Sequence, residues 1–296
     1  MQGIIIGNIS NLYKIETEQG IYDAYARGKL KNEEITPIVG DKVEIEITDN
    51  EKNTAVIEKI LPRKNHIKRP KMANVDQILF IISTKNPKPD LLMLDKQLAY
   101  MEKLQIEPII IINKIDLEET YKPIQELYTK VGYRTFITSA KQKIGIEELR
   151  VILRNKISVL SGNSGVGKSS LINALFHIDK TQEGEVSKKN KKGKNTTTDT
   201  KLYELEKNTY IADTPGFSSF EINEIESTEL DTYFREFKAE IPKCEFIGCT
   251  HIKEQNCGVK EAVQADIISK ERYERYCKIY EELKEKEKYK WQSLKK

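Results

Sequence analysis

Residues 162–169 read Gly-Asn-Ser-Gly-Val-Gly-Lys-Ser, which fits G-x-x-x-x-G-K-[ST], the spacing of a phosphate-cradling loop. Upstream lies the apolar strand pattern of 157–160, and downstream Leu171, Ile172 and Leu175 recur at helical spacing. A strand, a glycine loop and a helix in that order belong to an α/β layer structure. The glycines let backbone N–H groups turn inward and the helix N-terminus favours anions. Lys168 then reaches the β- and γ-phosphates and stabilises charge during transfer, and the Ser169 hydroxyl faces Mg²⁺. The expected phosphate set is Gly162, Asn163, Ser164, Gly165, Val166, Gly167, Lys168, Ser169 and Ser170.

The surrounding pattern alternates strand and helix: strand 78–82, helix 90–104, strand 108–112, helix 117–131, strand 135–138, helix 146–153, strand 157–160, and a helix from Lys168. Buried strands separated by helices predict a mostly parallel sheet. Strands at 202–205 and 209–212 can form a hairpin, and Asp213-Thr-Pro-Gly216 ends the second. A carboxylate at Asp213 can hold Mg²⁺ through water while the Gly216 N–H senses a γ-phosphate.

Asn113-Lys114-Ile115-Asp116 follows strand 108–112. Asp116 can accept both N1–H and N2–H₂ of guanine, a donor pair that adenine lacks, and the Lys114 stem can cover the base. Ser139 and Ala140, after strand 135–138, can offer a backbone N–H to guanine O6. The cofactor expected is GTP or GDP with Mg²⁺. In Ras-like GTPases the phosphate loop comes first and the base-reading loops last; here Asn113 and Ser139 precede Gly162. The order is that of a circular permutation, which places the switch segments directly before the C-terminal section.

In that section Cys244-x₄-Cys249-x-His251-x₅-Cys257 supplies three thiolates and an imidazole, a full set for one structural Zn²⁺. Four ligands leave no open position, which argues against a metal-dependent hydrolase. Residues 227–238 and those from Val259 read as helical, and Ser269 is placed to cap a last helix with Tyr273, Tyr276, Cys277, Tyr280 and Leu283 on one stripe. The N-terminal residues 1–62 read as short strands at 3–9, 12–17, 21–26, 41–47 and 54–60, an antiparallel barrel. Residues 63–72 are basic and contain Pro70, the pattern of a linker.

Composition excludes two classes. Hydrophobic residues are 38% and charged residues 32% of the chain, a globular balance. No apolar run approaches the ~20 residues of a membrane span, and no secretory leader opens the chain, so a cytoplasmic protein with no membrane partner is expected. Residues 1–62 carry seven Lys/Arg against eleven Asp/Glu, a balance of −4. RNA-contact candidates are therefore the basic stretches 63–71 and 188–194 and the Lys-rich tail, with Tyr13, Tyr22 and Tyr25 able to stack on bases where exposed.

On these motifs the chain resembles the RsgA (YjeQ/YloQ) family of circularly permuted GTPases, over essentially all of its 296 residues. The resemblance implies an N-terminal OB-type barrel at 1–62, a basic linker at 63–72, a permuted Ras-like GTPase domain at 73–222 and a mostly helical zinc domain at 223–296. It implies a GTP hydrolase stimulated by the small ribosomal subunit and acting late in its assembly, with that subunit and its rRNA as partners and the protein itself a monomer. It also makes 193–198 the first switch, where Thr197 or Thr198 completes Mg²⁺ coordination. Asn195 stands where family members often carry His, and Phe217 where Ras-like enzymes have a water-orienting Gln, so turnover without a partner is expected to be slow. The rival expectation is an RNA-binding or chaperone module that GTP merely stabilises.

Overall fold

The computed structural model describes residues 1–28, 36–68, 70–117, 121–176, 200–213 and 224–294. The expected switch residues Thr197, Thr198 and Gly216, together with Asn195, Phe217 and the basic stretch 188–194, lie outside them.

Five strands, β1 (Gln2–Ile9), β2 (Leu12–Thr17), β3 (Gly20–Ala26), β4 (Lys42–Asp49) and β5 (Thr54–Ile60), close a barrel in the order β1-β2-β3-β5-β4. That order is an OB barrel. Period-two alternation sends Ile5, Tyr13, Ile15, Tyr22, Val43, Ile45 and Ile57 inward. The barrel is not wholly antiparallel, as the strand reading expected, because β3 and β5 pair in parallel. β1 closes on β4, so β5 must lie between β4 and β3 and run in the direction of β3.

The stretch expected as a linker is folded. His66–Lys68 (β6) and Lys71–Ala73 (β7) pair antiparallel, and Ile67 and Met72 are fully buried. The charge that made it look solvated is partly consumed: Arg63 Nε and Nη2 donate to buried Asp41 at 2.7 and 2.8 Å. Asn74 Nδ2 reaches the Gly40 carbonyl at 2.9 Å, tying this hairpin to the barrel.

The central sheet runs β10 (Arg134–Ile137), β9 (Glu107–Asn113), β8 (Gln77–Ser83), β11 (Ile157–Ser161), β13 (Thr209–Asp213), β12 (Lys201–Glu206). All neighbours are parallel except β12 and β13. Both faces are covered, so β8 and β9 read as unbroken apolar runs. Ile78, Phe80, Ile110 and Ile112 face α1 (Leu91–Leu104) and α2 (Tyr121–Val131). Leu79, Ile81, Ile109 and Ile111 face α3 (Ile146–Leu153) and α4 (Lys168–Leu175). Asp90 caps α1, its Oδ1 accepting from Met93 N at 2.9 Å.

The expected helix over 227–238 is two short 3₁₀ segments, Ser227–Tyr233 and Arg235–Phe237, separated by extended Phe234. The break lets Phe234 and Phe237 both pack on Tyr276, with ring centroids 5.1 and 4.8 Å away. Helices α5 (Gly258–Gln264) and α6 (Lys270–Leu294) complete the chain, and Ser269 Oγ accepts from Arg272 N at 3.4 Å at the start of α6. Among the described residues no helix is long and apolar enough to cross a membrane.

An ionic cluster fastens α6 to the sheet's helices. Fully buried Asp95 on α1 accepts from Arg272, from Arg275 Nε at 2.5 Å and from Tyr128 OH at 2.8 Å. Arg272, itself buried, also binds Glu236. Beside it, Arg235 binds Glu102 at 2.6 Å and lies 4.3 Å over the Tyr133 ring. Replacing one member strands buried charge, so Asp95→Ala is expected to cost about 3–5 kcal/mol in urea unfolding. The double variant Asp95→Leu/Arg272→Met should recover much of that loss.

Candidate functional site

Parallel strands deliver their carboxyl ends to one edge, and here that edge gathers Ser83, Asn113, Ser161 and Asp213. Ligands in open α/β sheets bind outside such an edge. Between β11 and α4 the phosphate loop turns through Gly165 (φ 82°) and Gly167 (φ 98°), left-handed backbone that favours glycine. Gly167 has a second constraint, because a Cβ there would run into the side-chain amide of Asn113. Lys168 Nζ lies over the loop, donating to the carbonyls of Gly162 at 2.5 Å and Asn163 at 3.1 Å. Val166 is buried beneath the loop, while Ser164, Gly165, Ser169 and Ser170 face solvent. In register with Leu160, Asp213 ends the neighbouring strand.

Asn113 joins the glycine loop at 162–167 to the segment 138–140. Its Nδ2 donates to Val166 O at 2.9 Å, and its Oδ1 accepts from Thr138 Oγ1 at 3.1 Å and Ala140 N at 3.3 Å. Ser139 Oγ donates to Asp116 Oδ1 at 2.6 Å and so fixes the carboxylate. Ile115 N meets Thr138 O at 3.3 Å. Lys114 stretches back across the edge, its Nζ donating to Gly165 O at 2.5 Å and Asn86 O at 2.6 Å. The stem of that lysine thereby lines the region between the two loops.

One segment of this edge carries no motif and was missed from the sequence: the 83–90 turn after β8. Its Asn86 carbonyl holds Lys114, and the Pro87 ring packs beside Gly165. The available signal was positional, since a polar, proline-rich turn directly after a buried parallel strand must sit at the carboxyl edge.

Away from the edge, the ligand atoms of Cys244, Cys249, His251 and Cys257 lie within 4.8 Å of one another. Sulfurs about 2.3 Å from a tetrahedral zinc stand about 3.8 Å apart; Cys244 Sγ and Cys257 Sγ are 3.9 Å apart. His251 turns Nδ1 toward the sulfurs and its Nε2 lies 3.2 Å from Asp231 Oδ2, the carboxylate that orients a ligating imidazole. No local sequence signal links Asp231 to the cluster. Burial, then the adjoining thiols, push the Cys249 thiol up to about 12, so collecting thiolates here calls for a cation's charge. The donor set fits Zn²⁺.

A family model described as the RsgA N-terminal domain matches residues 2–57, and one described as RsgA GTPase matches residues 60–223. The chain belongs to the RsgA GTPase family. A relative from Caldanaerobacter subterraneus, named small ribosomal subunit biogenesis GTPase RsgA, is 41% identical over 295 residues, covering 99% of both chains. One of the same name from Thermotoga maritima is 40% identical over 289 residues, covering 95% of this chain and 96% of its own. The crystal structure of YjeQ from Thermotoga maritima matches with a TM-score of 0.82 at 39% identity, over 95% of this chain and 98% of that one. YloQ, described as a circularly permuted GTPase, matches with a TM-score of 0.79 at 30% identity, over 96% of this chain and 95% of that one. The permuted order inferred from Asn113 preceding Gly162 agrees with that description of YloQ.

Two outcomes follow from this geometry. Asp116→Asn presents a donor to the guanine donors, so GTP affinity should fall by ~100-fold, the cost of an unpaired buried group, with xanthosine triphosphate gaining in competition binding. Elemental analysis should find one zinc per chain, and Cys257→Ser should lose it together with a lowered melting temperature while GTP binding persists.

Proposed function

We propose that this chain hydrolyses GTP to GDP and phosphate, and that its nucleotide state governs association with the small ribosomal subunit late in that particle's maturation. The observation that carries the reading is Asn113, one side chain that couples a phosphate loop to a guanine-reading loop in a family of GTPases. The names of the relatives supply the particle.

In the proposed division of labour, residues 1–62 and 63–72 address the particle, 73–222 hold nucleotide, and 223–296 form a zinc-stabilised buttress. Gly162 to Ser170 would wrap the phosphates, with Asn113, Lys114, Ile115, Asp116, Ser139 and Ala140 around the base. Ser169 would hold Mg²⁺ directly and Asp213 through water, with Thr197 or Thr198 completing the shell; the ion supplies charge to the β- and γ-oxygens. Lys168 and the loop N–H groups would stabilise charge that develops as water attacks the γ-phosphate. Gly216 N–H would report the γ-phosphate. Cys244, Cys249, His251 and Cys257 would bind one Zn²⁺ with a closed shell, giving it a structural role.

Asn195 cannot act as an imidazole base, and Phe217 cannot orient water as Gln does. This supports a slow basal rate with the missing order supplied by the particle, whose RNA is the proposed contact for the basic tail. The chain would work as a cytoplasmic monomer. GTP turnover with and without purified small subunits tests this: a rise of at least ~10-fold, absent with large subunits, is expected. Equal rates, with tight and nucleotide-independent RNA binding, would instead favour a passive RNA-binding module.

A further inference from the structure

The outer wall of the barrel carries an apolar row, exposed at Ile9 and Tyr25 and half-buried at Leu12 and Val56. Strand register sets Ile9 opposite Leu12, Leu12 opposite Tyr25, and Tyr25 opposite Val56. Their chain neighbours point inward: Tyr13 beside Leu12, Ala24 beside Tyr25, and Ala55 and Ile57 on either side of Val56 are buried in the barrel core. Tyr25 and Ile9 are each 58% exposed. Four strands at about 4.8 Å spacing make the row about 14 Å long, enough for four or five residues of an extended chain.

The charges along its borders decide what can lie there. Two cations of the barrel that border it are occupied, Lys14 meeting Asp23 at 2.8 Å and Arg27 meeting Glu58 at 2.5 Å and Glu46 at 3.4 Å, while Lys201 of β12 packs beside Gly7, two residues along β1 from Ile9. Two carboxylates share the one guanidinium, leaving that border negative. Over residues 1–28 and 36–62 there are five Lys/Arg against nine Asp/Glu. A polyanion laid on this wall would meet repulsion and would release no counterions, the main source of nucleic-acid affinity. A cationic chain would be drawn to it.

We propose that the Ile9–Leu12–Tyr25–Val56 row docks a lysine- and arginine-bearing polypeptide segment of the small subunit, and not its RNA. The inference rests on the small-subunit reading above and deepens it. Apolar side chains of the segment pack on Ile9, Leu12 and Val56, an arginine stacks on the Tyr25 ring, and further cations face Glu46 and Glu58.

The test uses the full chain with the photocrosslinker p-benzoylphenylalanine in place of Tyr25, irradiated on purified small subunits with GTP and sedimented. An adduct that survives ribonuclease and is cut by trypsin to a basic ribosomal-protein peptide is expected. An adduct lost to ribonuclease, or sedimentation without any adduct, overturns the proposal and leaves the functional reading standing. Failure to sediment with the particle removes both. The sign of a charge change gives an independent measurement. Glu46→Lys should weaken subunit binding several-fold and Ile9→Ser/Tyr25→Ser by ~10-fold, with basal GTP turnover unchanged; tighter binding of Glu46→Lys would identify RNA and overturn the proposal.

Discussion

Asp95 has no exposure to solvent, and Arg272, Arg275 and Tyr128 surround its carboxyl group. Such a group stabilises little relative to an apolar replacement, but it tolerates no partial solution. The constraint propagates outward. Arg272 must bring Glu236, the 3₁₀ segment carrying Glu236 must bend at Phe234, and the bend places Phe237 with its ring centroid 5.8 Å from that of His251. The position of the cysteine cluster against the GTPase domain thus descends from one carboxylate on α1. Tyr276 closes the circuit, packing on both phenylalanines and donating to Thr250 O at 2.9 Å.

The nucleotide edge obeys a different logic. Its loops are held mainly by backbone carbonyls and one amide, and Asn113 satisfies three partners with a single neutral side chain. Charge is kept for the ligand: Lys114 and Lys168 rest on carbonyl oxygens at the loop, whose partial charge competes weakly with a phosphate or a ring face. The carboxylate of Asp116 is oriented by the Ser139 hydroxyl. Buried ion pairs that fasten α6 and a loop edge held by dipoles therefore coexist around the same sheet.

Legibility from the sequence followed the range of the physics involved. The glycine loop at 162–169, the loop at 113–116 and the alternating strands depend on neighbours in the chain, and their residues announced them. The clustering of three cysteines and a histidine within fourteen positions was legible for the same reason. What escaped depends on distant contacts. Asp231 meets His251 across 20 residues, and Asn86 meets Lys114 across 28. The basic stretch at 63–72 looked solvated because nothing local shows that Asp41 takes Arg63 or that Ile67 and Met72 fill a core. The parallel pairing of β3 with β5 follows from barrel closure, which no single strand encodes. Among the three barrel tyrosines, parity along the strands separates Tyr25 from Tyr13 and Tyr22, but only register reveals what stands beside it.

The permuted order also shapes how the molecule comes into being. As the chain is synthesised, β8, β9 and β10 are released before β11, the strand that occupies the other side of β8. Until Ile157–Ser161 follows, β8 carries an unpaired edge on an almost wholly apolar strand, a template for pairing with the wrong chain. An ordinary arrangement of the same sheet would make the phosphate-loop strand first and build outward from it. Here the central seam is sewn late, so the α1 and α2 layer must shelter the growing sheet before the nucleotide site exists.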